Sequence, residues 1–354
     1  MRLGLGLYRH MLNEENYRFA VQAGATHIVA HLVDYFKGER EGVHGQPVGS
    51  DRGWGPAGDP DHIWTVAELT ALRRDINAAG LQLEAIENFD PAHWHDVLLD
   101  GPLRDQQMEN VKTIIRNLGE AGIPIMGYNF SLAGVCGRVS GPFARGGALS
   151  VGVDGPFDEP MPKGMVWNMI FDADAGKGVE APITSEELWR RVDHFLDEVL
   201  PVAENAGVRL AAHPDDPPLP ILRGQPRLVY RMDLYQRLLD LHPSPCNALE
   251  FCIGSLAEMP DGDLYSAVDQ YSRQRRIAYI HFRNVRGKVP HYRETFVDDG
   301  DIDMFRVLAI LRQNGFEGVL IPDHTPQMTC GAPWHAGMAY ALGYMKAALT
   351  AIGS

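Results

Sequence analysis

The amino-acid sequence predicts an α/β protein, a single (β/α)8 TIM barrel with long βα-loop insertions, on three observations. Short apolar runs alternate with amphipathic helical patterns, there are eight such runs, and the helical patterns close on or near a glycine with the next strand a few residues on. Eight units favour a closed barrel over an open doubly wound sheet. A length of 354 residues suits one domain, residues 1–354, enlarged by insertions.

The elements follow in order. Residues 2–8 (RLGLGLY) form the first strand, a polar turn at Asn13 opens a helix that ends near Gly24, and residues 26–33 (THIVAHLV) form a buried strand. Helix 66–80 leads into strand 81–88, and helix 106–122 into strand 123–130. In the second half, helix 185–207 leads into strand 208–213, helix 232–242 into strand 247–252, and helix 264–274 into strand 277–282. The last unit runs from helix 303–315 through residues 318–324 into a terminal helix over 335–351. Gly4 and Gly6 lie inside the first strand and no GxGxxG opens a helix after a strand, so dinucleotide binding has no support. Residues 37–64 and 131–182 break the rhythm, being rich in Gly, Pro and Asp without helical periodicity. Each follows a strand and precedes a helix, which places both on the C-terminal face of a barrel as candidate lids or oligomer contacts.

Composition narrows the function. Forty-six acidic against 32 basic residues give a net charge of -14, a field that repels phosphate backbones and anionic lipid, so neither nucleic acid nor a membrane is an expected partner. No run reaches transmembrane length, and the apolar start is too short for a signal peptide. The four cysteines Cys136, Cys246, Cys252 and Cys330 make a poor disulfide framework and fit a reducing, cytoplasmic setting. Cys330 reads as the most reactive of the thiols in loops, and a homo-oligomer is compatible with the insertions.

The ends of the last four strands carry the chemistry: His213, Cys252, His281 and Asp323. Each is separated from the next by about one βα unit, so a barrel brings all four to one rim. Two imidazoles, a thiolate and a carboxylate suit a borderline divalent ion such as Mn, Fe, Co or Zn better than Mg or Ca, which prefer oxygen shells. Glu87 and Asn129, at the ends of two earlier strands, complete a polar rim suited to a polyhydroxylated ligand.

Several stretches together resemble the mannonate dehydratase family: RLAAHPDDPPLPI at 209–221, FCIGSL at 251–256, IHFRNV at 280–285, GDIDMF at 300–305 and IPDH at 321–324. GLYR at 6–9 and residues 110–130, ending in GYNF, extend the likeness over most of the chain. The resemblance implies a xylose isomerase-like barrel that removes water from D-mannonate to give 2-keto-3-deoxygluconate with a divalent metal, usually Mn. It carries the metal ligands onto His213, Cys252, His281 and Asp323, the four residues that strand spacing selects. It also puts Arg138 in the place of an arginine after YNF, and Glu294 in that of a glutamate before GDIDM. The chain departs from the family where DWTR becomes VCGR at 135–138, where a histidine becomes Val297, and where PGYGLY, with a tyrosine implicated in proton transfer, becomes PWHAGMAY at 333–340. Those departures leave room for a different aldonate.

Dehydration needs an acid and a base on either side of the carbon chain. His324, next to Asp323, and His335, near the place of the absent tyrosine, are the candidates. Arg138 and Arg283 are candidates to receive the substrate carboxylate, because guanidinium binds carboxylate through a planar fork, with Asn129, Glu294 and Glu87 as further substrate contacts. Asp215 and Asp216 offer one second-layer partner for an imidazole and one turn cap. The alternatives are a metal-dependent isomerase, epimerase or related lyase acting on another sugar, and a non-catalytic sugar-binding or metal-storing barrel.

Overall fold

Eight parallel strands close on themselves in a computed structural model that describes residues 1–36, 46–48 and 53–353. They are β1 (Arg2–Leu7), β2 (His27–Ala30), β3 (Gln82–Glu87), β4 (Ile125–Tyr128), β5 (Arg209–Ala212), β6 (Asn247–Cys252), β7 (Ile277–His281) and β8 (Val319–Ile321). Each pairs with its neighbours in sequence, and β1 closes the barrel against β8 with Arg2 opposite Val319 and Leu3 opposite Leu320. All eight C-terminal ends therefore share one rim.

Local chemistry sets the helix starts. Asn13 accepts from the Asn16 amide at the head of α1 (Glu14–Gln22), and Thr65 forms a reciprocal capping box with Glu68 at the head of α2 (Val66–Ala78). Gly122 and Gly207 end the helices Arg104–Ala121 and Ser185–Ala206 with φ of 72° and 67°, a left-handed turn that costs glycine nothing. Strand residues alternate between two environments. Leu249 and Phe251 pack under the helices, whereas Ala248 belongs to a separate apolar cluster with Val29, Ala85, Ala211 and Val319 inside the barrel. Gly4 is required there, since a Cβ would stand 2.6 Å from Val319 Cγ1.

Residues 131–182 are more ordered than their composition predicts. Arg138–Ala144 and Ala148–Asp154 form an antiparallel hairpin, joined by His291–Thr295 and Asn284–Lys288 into a four-stranded sheet beside the rim. Gly141, Pro142 and a register shift between Gly141 and Ala144 interrupt the alternation that marks a strand. Two short helices, Pro91–Leu99 and Ile253–Glu258, also fall outside the eight repeating units. Much of the 37–64 insertion lies outside the described residues; of the rest, Trp54 is buried and Gln46 reaches the site.

Candidate metal centre

The barrel ladder carries three potential ligands to one point. The His213 amide continues the β5 ladder onto the Tyr128 carbonyl (2.8 Å), and its Nδ1 stands 2.6 Å from the Pro214 carbonyl. That carbonyl only accepts, so Nδ1 holds hydrogen and Nε2 is the nitrogen turned to the site. Cys252 ends β6 and its Sγ accepts from the Ser255 amide (3.4 Å) and hydroxyl (3.1 Å). His281 ends β7. Donor atoms of His213, Cys252 and His281 all lie within 4.8 Å of one another.

Asp323 reaches the same place from two residues beyond β8. Its backbone is left-handed (φ 61°), a conformation that aspartate tolerates better than most residues, and its Oδ2 stands 3.4 Å from His281 Nδ1. That Nδ1 is buried without a hydrogen-bond partner. The opposite ring nitrogen, Nε2, faces Glu87 Oε2 at 3.3 Å, so a carboxylate orients the imidazole from behind. Arg283 Nε holds Asp323 Oδ2 at 3.0 Å.

The charges fit a cation. Burial acts to raise the Cys252 thiol, but Arg283, His213 and His281 outweigh it and hold the thiol well below its ordinary range. Burial would discharge the imidazoles, yet Glu250 and Cys252 push His213 up to about 9, and Asp323, Glu87 and Glu250 push His281 well above its usual value. Without a metal, protons on the two rings balance the surrounding acids. A dication held here would replace those protons, because Cys, His and carboxylate ligands bind metal in their deprotonated forms.

A cavity opens over this point, lined by Tyr8, His31, Tyr35, Trp54, Glu87, Asn129, Arg138, Trp167, Asp216 and His324 as well as three of the ligands. Its aromatic side is one packed unit: Trp54 and Trp167 meet edge to face with centroids 5.4 Å apart, and Tyr35 contacts both at 5.1 and 5.8 Å. Asn129 accepts from Trp167 Nε1 (3.2 Å) through Oδ1 and points its amide at the His213 and Pro214 carbonyls. Glu87 accepts from Tyr279 and His281. Burial works to raise it, but His31 and His281 bring it down to about 2.

His324 lines the cavity with Nδ1 3.1 Å from Glu294 Oε1 and Nε2 3.4 Å from Asp323 Oδ1. Burial would raise the Glu294 carboxyl, but His324 and Arg283 hold it below its ordinary value. An ionised carboxylate on Nδ1 leaves Nε2 as the working nitrogen, the arrangement that orients a general base.

Four expectations need correction. His335 sits on the first turn of the helix Pro333–Ala351 but turns away from the cavity: its Nε2 meets Asn16 Oδ1 at 3.0 Å, and its ring packs edge-on against Phe19 and Trp334. Arg283 is not a free fork for a substrate carboxylate. It is 2% exposed, and its nitrogens are taken by Asp323, Glu258 (2.6 Å), Asp216 (2.9 Å) and Ser255 (3.0 Å). Glu294 lies behind His324 and binds Gln46 Nε2 (2.6 Å), so it contacts the histidine rather than the cavity. Neither Asp215 nor Asp216 orients His213. Asp215 takes Arg227 Nε and the Leu228 and Val229 amides, and Asp216 takes Arg138, Arg283 and Tyr292.

Arg138 lines the cavity but with two terminal nitrogens engaged, Nη1 on Gln46 Oε1 (2.9 Å) and Nη2 on Asp216 Oδ2 (2.7 Å), while its Nε has no hydrogen-bond partner among the described residues. Sequence reasoning missed Glu250, whose signal was available: in NALEFC it alternates with Leu249 and Phe251 and so faces inward with Cys252. Fully buried, it stands 3.1 Å from His281 Nε2 and 3.9 Å from His213 Nε2, and burial with Glu87 pushes it up to about 8. Tyr8, His31 and Tyr35, which end the first two strands or follow them, were also missed as cavity residues.

The family model for D-mannonate dehydratase (UxuA) matches residues 22–136 and 178–351, leaving out the stretch that supplies Arg138 and Trp167. Mannonate dehydratase of Streptococcus equi subsp. zooepidemicus is 34% identical over 276 residues, 74% of this chain and 74% of that protein. The crystal structure of mannonate dehydratase from Streptococcus suis serotype 2 is similar with a TM-score of 0.73 at 26% identity, over 100% of this chain and 95% of that one. A structure of L-ribulose 3-epimerase, 14% identical with a TM-score of 0.58 over 99% of this chain and 95% of its own, shares the fold.

Proposed function

The chain belongs to the D-mannonate dehydratase family, and from that premise we propose that it is a hydro-lyase removing water from D-mannonate or a closely related aldonate to give a 2-keto-3-deoxy sugar acid. The observation that carries the reading is the donor set of His213, Cys252 and His281, with Asp323 beside it, facing a cavity that also presents a carboxylate-anchored His324.

His213, Cys252, His281 and Asp323 would hold a divalent transition metal, manganese by family resemblance. Bound there, it supplies Lewis-acid stabilisation of the charge that develops when a proton leaves carbon next to a carboxylate. The chain's own residues do the rest. His324 Nε2 takes the proton from C2, with Glu294 fixing the ring through Nδ1. Arg138, pinned by Gln46 and Asp216, places positive charge beside the substrate carboxylate. Trp54, Trp167 and Tyr35 cover the apolar face of the sugar chain and keep water from the reacting carbons. All four cysteines are unpaired, which supports a cytoplasmic setting, and no helix among the described residues is long and apolar enough to cross a membrane.

A panel of aldonates incubated with metal-loaded protein tests the proposal. Mass spectrometry should find a product lighter by one water with D-mannonate or a near stereoisomer. A product of unchanged mass would make the protein an isomerase or epimerase instead.

A further inference from the structure

Dehydration leaves one proton unassigned. His324 accounts for the proton removed from C2, but the hydroxyl at C3 leaves only if something protonates it as the C–O bond breaks. Most polar groups on the cavity wall are already committed. Glu87 is occupied by His281 and Tyr279, Asn129 by Trp167, and Asp216 by Arg138, Arg283 and Tyr292. The Tyr35 oxygen accepts from Asn88 Nδ2 at 3.1 Å and keeps its own proton, but Tyr35 and His31, whose Nδ1 has no partner among the described residues, follow β2, one strand further from His324 than β1.

Tyr8 differs. It lines the cavity one residue past the end of β1, and its hydroxyl makes no hydrogen bond among the described residues. Apolar and ring contacts alone fix its position: the ring stacks on His31 at a centroid distance of 4.8 Å and meets Phe36 edge-on at 5.0 Å. Because β1 pairs directly with β8, Tyr8 shares a rim segment with His324 and Asp323, which follow β8. Burial, with Asp323 also contributing, raises its phenol well above the ordinary value, so the empty protein holds it as the neutral phenol. A hydroxyl that faces the cavity beside the base with no partner among the described residues is free to donate to a bound substrate.

We propose that Tyr8 is the general acid of the reaction, donating its hydroxyl proton to the C3 oxygen as that oxygen departs as water. The proposal rests on the dehydratase reading. His324 takes the C2 proton, the electrons of the C2–H bond form the C2–C3 double bond, and the C3–O bond breaks with its electron pair going to oxygen, which receives the Tyr8 proton. The resulting enol returns its hydroxyl proton to Tyr8 as it becomes the ketone, and the proton held by His324 is delivered to C3. The sum is substrate to keto acid plus one water, with no oxidant or reductant.

The test compares wild type and Tyr8→Phe on D-mannonate and on 3-deoxy-3-fluoro-D-mannonate, whose fluoride leaves without needing a strong acid. On D-mannonate the variant should lose about 10²- to 10⁴-fold in kcat. KM and metal content should stay near wild type. On the fluoro compound its rate should come within a few-fold of wild type. Equal losses on both compounds would make Tyr8 a positioning residue and overturn the assignment, as would an unchanged rate on D-mannonate. If wild type dehydrates neither D-mannonate nor any aldonate in the panel, the dehydratase reading fails and takes this assignment with it. A wild type that works beside an unimpaired variant sinks the Tyr8 assignment alone.

Discussion

At the ends of β5 to β8 the rim is built from His213, Cys252, His281 and Asp323, while at the ends of β1 to β4 it is built from Tyr8, Tyr35, Glu87 and Asn129, with Trp54 and Trp167 folded in from the insertions. The first set is compact and ionisable, and each member sits on a strand or within two residues of one. The second is mostly aromatic and amide, and it is held by packing between segments distant in sequence: Trp167 bonds Asn129 across 38 residues, and Arg138 bonds Gln46 across 92. On the proposed reading, one half of the barrel would hold a cation with geometry set by the backbone ladder. The other shapes the substrate with geometry set by side chains meeting across loops. Substrate preference could then change without disturbing the metal, and the departures from the family motifs fall at residues 135–138, Val297 and residues 333–340 rather than in the ligand set.

The division breaks most decisively if the metal half is not a metal half. His213→Ala, Cys252→Ala and Asp323→Ala should each strip the purified protein of most of its divalent metal and of measurable turnover, read by elemental analysis and product assay. Full metal content in all three would place the site elsewhere. His324 lies on the border, and its substitution sharpens where the border runs. His324→Asn should lower kcat by about 10²- to 10⁴-fold while metal content stays near wild type. Loss of metal as well would move His324 into the ligand half. The smallest effect is expected in the substrate half. Arg138→Lys keeps a charge but loses the planar fork whose two ends meet Gln46 and Asp216, and should cost about 1–3 kcal/mol in kcat/KM. The metal content should not change, and a variant with wild-type kinetics would make Arg138 purely structural.

How much of this was legible without coordinates depends on the range of the interactions. The eight strands, their order of use and the inward position of Cys252 and His281 follow from periodicity and spacing, which are local. Glu250 was equally legible, being an inward residue of an apolar strand, but an acid in such a run is easily read as chance until its burial is seen. The hairpin over 138–154 was hidden because its alternation is broken by Gly141 and Pro142, and its stability comes from pairing with His291–Thr295 far along the chain.

The sequence by itself determined that this protein is a barrel of eight βα units with four metal-binding residue types on one rim, because strand periodicity and the length of a βα unit dictate where each strand end points. It also determined that His324 accompanies Asp323. Only the tertiary structure decided which polar side chains remain free. It committed Arg283 to Asp323, Glu258 and Asp216, turned His335 onto Asn16, engaged the terminal nitrogens of Arg138 and left the Tyr8 hydroxyl without a partner among the described residues. The reason is physical: a buried charge or donor must be matched by whichever partner the fold brings within about 3 Å, and that partner usually lies in another segment of the chain.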